Sequence, residues 1–106
     1  MSPSMKRTPS AMIRMYAMRV QGVADEYNWE TDTLEALIGR SLLEDRWDEL
    51  TGEQKAQVEK IDDELIRQQR RVAKLLPASG ENPRSHWWWF LHEGPQVRQE
   101  AEKAVG

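Results

Sequence analysis

Residues 51–77 read TGEQKAQVEKIDDELIRQQRRVAKLLP, and the reading of this stretch decides the fold. Thr51 followed three residues later by Gln54 has the form of a capping box, in which each side chain takes a free backbone N–H of the other residue. Beyond it Val58, Ile61, Leu65, Val72 and Leu75 recur in alternating steps of three and four, with Gln68 filling the one polar place in the series. That period lays a single apolar stripe along a helix. The residues between are mostly Glu, Lys, Gln, Arg and Ala, which are good helix formers, and Pro77 stops the run because it lacks an N–H and clashes with the preceding turn. One long helix is expected over residues 52–76. Its seam is shorter than about four heptads, which suits bundle packing better than a coiled coil.

Working outward, the same spacing appears before this helix at Ile13, Tyr16, Val20, Val23 and Tyr27, which predicts a first helix over 10–27. Met12, Met15, Ala17 and Ala24 widen its apolar face, so it is expected to lie centrally and to be touched on more than one side. Residues 1–9, with Pro3 and Pro9, form a flexible leader. Asp32 and Glu35 form a second capping-box pattern, with Thr31 and Thr33 as competing caps, and Leu34, Leu37 and Ile38 open the apolar face of a helix that starts near residue 32. Gly39 and Ser41 weaken its middle. It either continues through Leu42, Leu43, Trp47 and Leu50 or breaks near Gly39.

After the long helix, PASGENPRS at 77–85 is an exposed connection rich in turn formers. Ser85 can then cap a short helix through HWWWFLHE, Gly94 can end it, and Pro95 can open a last helix over 95–104. A strand over 86–91 is the alternative, but the chain offers no second strand to pair with it. The expected fold is all-α: a single domain over 1–106, a small bundle of four or five helices with a short aromatic-rich C-terminal helical segment.

Composition agrees with a folded, charge-covered chain. Of 106 residues, 39% are hydrophobic and 31% charged, and five Trp and five Met are present, more apolar bulk than a disordered chain carries. Cysteine is absent, which excludes disulfides, thiolate zinc sites and thiol nucleophiles. Mean hydropathy is −0.80 and no apolar run approaches the roughly 20 residues a membrane helix needs, so a cytoplasmic protein is expected. The basic start also suits an organelle transit peptide, although the segment is expected to be retained.

Charge is laid out in blocks. Residues 1–24 carry four basic and no acidic groups, 25–65 fourteen acidic against four basic, 66–84 five basic against one acidic, and the rest two basic against three acidic. Such alternation can bring the basic first helix against the acidic middle, within one chain or between chains. Solvated helix faces are the simpler account of it.

Catalytic motifs are missing: there is no phosphate loop, no GxSxG elbow and no HExxH. His86, His92 and Glu93 lack the spacing that would place them on one helical face as metal ligands. Carboxylate pairs one turn apart, Glu44 with Asp48 and Asp45 with Glu49, are what any acid-rich helix contains. No metal, cofactor or catalytic residue is expected.

The function expected is therefore a non-enzymatic protein-interaction or regulatory module, of adaptor, antitoxin or accessory type, with a protein partner that is a second copy in a homodimer. The WWW run supplies the candidate site. On an α-helix three successive residues sweep about 200°, too wide for one narrow apolar stripe. Trp87 and Trp88 share a side with Phe90 or Leu91, while Trp89 falls between His86 and Glu93 on a polar side. Trp89, His86, Glu93 and Trp88 are the expected partner-binding residues; the other reading is a helix inserted between its neighbours with all three Trp rings in the core. The alternative is a nucleic-acid-binding regulator that uses Arg67, Arg70, Arg71, Lys74 and Arg84 beside the Trp run, against which stand the acidic pI of 5.4 and the lack of a reader motif.

Overall fold

The computed structural model describes residues 7–25, 28–76 and 82–105. Leader residues 1–6, Tyr27 and residues 77–81 of the connection lie outside the described residues. The described chain is all-α, in the order α1 (Pro9–Ala24), α2 (Trp29–Asp45), a 3-10 turn (Trp47–Glu49), α3 (Gly52–Arg67), α4 (Gln69–Ala73), a 3-10 segment (Trp87–Glu93) and α5 (Val97–Val105). No strand forms among the described residues.

The helix signals are used, some with a shift. Thr8 caps α1 by accepting from Ala11 N at 3.2 Å, and Pro9 opens the helix rather than ending the leader, because a missing N–H costs nothing in the first turn. α2 begins three residues before the expected start. Asp32 is not its cap: the carboxylate reaches instead to Arg19 Nη1 at 2.9 Å and ties α2 to α1. α2 runs unbroken through Gly39, since Ala36 and Leu37 before it and Leu43 after it are all buried on one face. The Thr51 and Gln54 capping box forms with both hydrogen bonds, at 3.1 and 3.0 Å.

The expected long helix is broken. Gln68, the polar place in the seam, has φ −93° and ψ 17°, and its N–H bonds three residues back to Leu65. The break turns α4 so that Val72 still reaches the core while the Gln69 side chain donates to the Leu91 carbonyl at 2.6 Å. Gly94 ends the aromatic segment at φ 123°, a conformation open to glycine and strained for other residues.

Register fixes the topology. Arg19 meets Asp32 and Arg46 meets Met12, so α1 and α2 are antiparallel; Ser10 meets Gln54 and Tyr16 meets Asp62, so α1 and α3 run parallel. Around them Val58, Leu65, Val72, Trp87, Trp88 and Leu91 complete one core. Leu65 and Val72 point inward as expected, whereas Ile61 is half-buried at its edge.

Candidate functional site

The aromatic segment is not the α-helix read from HWWWFLHE. It consists of two 3-10 turns kinked at Phe90, where φ is −120°. Trp88 is 1% exposed and points into the core, which places this expected partner-binding residue behind the surface and not on it. Its ring is stacked on His86 at 4.6 Å and stands nearly perpendicular to Trp87 at 5.5 Å. Trp89 is half-buried, not the isolated exposed indole the α-helical wheel implied. The hydroxyl of Ser41 on α2 accepts both indole N–H groups, from Trp88 at 2.9 Å and from Trp89 at 2.8 Å. Glu93 is exposed and accepts from the two terminal guanidinium nitrogens of Arg84, at 2.7 and 2.8 Å, whose hydrogen bonds lower its pKa. Trp88 and Trp89 are thus tied to α2 and His86 is stacked on Trp88, while Glu93 faces Arg84.

The basic set of the alternative reading is scattered and mostly engaged. Arg67 pairs with Glu64, Arg84 with Glu93, Arg71 donates to the Val23 carbonyl at 3.3 Å, and Lys74 lies over Trp29 at 5.8 Å. Arg70 is exposed. Among the described residues no three His, Cys, Asp or Glu side chains converge as metal ligands would. No helix of the described chain is long and apolar enough to cross a membrane.

The polar centre of the fold is a group absent from the sequence-based expectations. Asp62 Oδ1 accepts the Tyr16 hydroxyl at 2.6 Å and Arg40 Nε at 2.9 Å, and Arg40 and Asp62 are 5% and 1% exposed. The Arg40 guanidinium also lies 4.5 Å from the Trp88 ring and 5.0 Å from the Trp47 ring, as cation–π contacts do. Burial lifts the Asp62 carboxyl above its ordinary value, with Arg40 opposing; burial works against the charge on Arg40, but Asp62 and its neighbours offset this and hold the guanidinium firmly protonated. The signal was present in the sequence: Asp62 stands four residues after Val58 and three before Leu65, on the core stripe itself.

That pair also sets which face of α2 is buried. With Arg40 drawn inward to Asp62, residues on the far side of the helix must face out. Leu34, Ile38 and Leu42 are 44%, 45% and 52% exposed, although the sequence placed them on the inner apolar face. They fall four residues apart and form one ridge. Ser41, with Trp89 upon it, lies one turn on from Ile38. Comparison with protein-family models, with curated proteins and with solved structures returns no match.

Proposed function

We propose that this chain is a non-enzymatic protein-interaction module that docks through the outward face of α2. The observation that carries this reading is the ridge of Leu34, Ile38 and Leu42, each close to half exposed on a helix whose other face is already in the core. Single exposed apolar residues need no explanation, but three in one row on the solvent side of one helix are the pattern of a helix that packs twice. Trp89 borders the ridge through Ser41 and supplies the aromatic edge that binding surfaces favour. The nucleic-acid reading has less support, since Arg67 and Arg84 are already committed to carboxylates.

A photoreactive phenylalanine analogue at position 38, with a second at the exposed α3 position 59 as control, tests the assignment. Irradiation is expected to join position 38 to a protein and to leave position 59 without that adduct. An adduct with nucleic acid, or none at position 38, would overturn the reading.

A further inference from the structure

We propose that the partner is a second copy of the chain, bound head to tail, with the α2 ridge of one molecule seated in the groove between α1 and α3 of the next. This rests on the reading of α2 as the docking face and names what covers it. The groove has a volume of about 630 Å³ and is floored by Ile13, Ala17, Val20 and Ile61. Its length follows from helix geometry: the lining runs from Ile13 to Ala24 on α1, about 16 Å at 1.5 Å per residue, and the ridge from Leu34 to Leu42 needs about 12 Å.

Charge selects the occupant. Arg14 and Lys60 stand on opposite rims of the groove, both exposed, and no described carboxylate lies within ion-pair distance of either. Because Ser10 meets Gln54 and Tyr16 meets Asp62, these two cations fall at about the same height. Glu64, the acid on the rim, is held by Arg67. The ridge is the complement: Glu30, Glu35 and Asp45 are the exposed charges of α2, all acidic, and none is paired with a described cation. Ridge against ridge would bring these acids onto their own copies, and like charges at an interface are unfavourable. Ridge in groove pairs free acids with free bases.

The two surfaces also face different ways. On α1 the groove residues Ile13, Ala17 and Val20 lie on one flank, and Met12 and Arg19, which reach α2, lie on the other. The groove therefore opens away from α2, while the ridge points outward from it. One such contact leaves a free ridge at one end and a free groove at the other, so association continues past the dimer.

Sedimentation of the full chain with two variants tests this. Ile38→Glu disables the ridge, and Arg14→Glu with Lys60→Glu disables the groove; all three positions are exposed, so melting temperatures are expected to hold. The unaltered chain is expected to grow beyond a dimer as concentration rises, and each variant alone to associate about tenfold more weakly or not at all. Mixed together, the two variants are expected to form a heterodimer that stops growing, because the groove of the first accepts the ridge of the second. A mixture that stays monomeric would overturn the head-to-tail arrangement, and an unaltered chain that stops at a dimer, with the groove variant dimerising alone just as well, would overturn it in favour of ridge against ridge. An unaltered chain that is monomeric at every concentration, yet cross-links from position 38 to a different protein, would overturn this inference and leave α2 as the docking face. Loss of the cross-link as well would remove both.

Discussion

Arg40 and Asp62 meet at 2.9 Å in the interior, and each is there only because the other is. Their desolvation is offset by one another, by Tyr16 and by the rings above Arg40, so the pair is costly to break and cheap to replace. Asp62→Leu strands a cation and Arg40→Met an anion, and each is expected to cost about 3–5 kcal/mol. The double variant Arg40→Met/Asp62→Leu should cost clearly less than the two together. Urea unfolding of all four proteins measures the difference, and losses that simply add would mean the two groups do not depend on one another.

Tyr16 gives the pH dependence. Burial, and then the nearby Asp62 carboxylate, raise its hydroxyl well above the ordinary value of 10.0. The unfolded chain releases that proton near pH 10 while the folded chain keeps it, so the folded state binds more protons there and stability falls as pH rises past 10. Tyr16→Phe should be less stable at neutral pH and should lose part of this alkaline decline. Equal slopes in thermal melts between pH 9 and about 11 would place the hydroxyl in water.

Ser41 carries two indole N–H groups on one oxygen. Ser41→Ala removes the one acceptor of both indoles, leaving the buried Trp88 N–H without it, and is expected to cost about 1–3 kcal/mol despite the better helix propensity of alanine. Trp89→Phe keeps most of the packing and loses one donor, so its cost should be smaller. The reverse order in chemical denaturation would mean that packing, not the shared hydroxyl, holds the aromatic segment on α2.

Leu65 and Ile61 separate the core from the groove. Leu65→Ala is expected to cost roughly 2–5 kcal/mol, as a fully enclosed leucine does, and Ile61→Ala about 1 kcal/mol less or better, because its site already opens to solvent. Similar losses at the two positions would require the groove to close in solution.

Much of this fold was legible in the order of residues. Thr51 with Gln54, the stripe of Ile13, Tyr16, Val20 and Val23, and Gly94 are local devices, each read from a few neighbours, and all act as the sequence suggests. What escaped was set by long-range pairing. Ile61 was assigned the core place that Asp62 takes, since a charged residue is not expected inside until its partner, Arg40 of α2, is known. The same omission hid the ridge, because an arginine turned inward rotates Leu34, Ile38 and Leu42 outward. The break at Gln68 and the 3-10 form of WWWF go with tertiary hydrogen bonds, from Gln69 to the Leu91 carbonyl and from the Trp88 indole to Ser41, which no local pattern encodes.

The perpendicular rings of Trp87 and Trp88 have an optical consequence. Two indoles with centroids 5.5 Å apart and planes at 87° are close enough to couple their excited states, and wherever their in-plane transition moments are skewed the coupling gives a circular dichroism couplet of opposite signs. Such a couplet is expected to overlap the far-ultraviolet bands of the helices, so apparent helix content read from that region would carry an aromatic contribution. Its disappearance would time the release of the C-terminal segment separately from the melting of α1, α2 and α3.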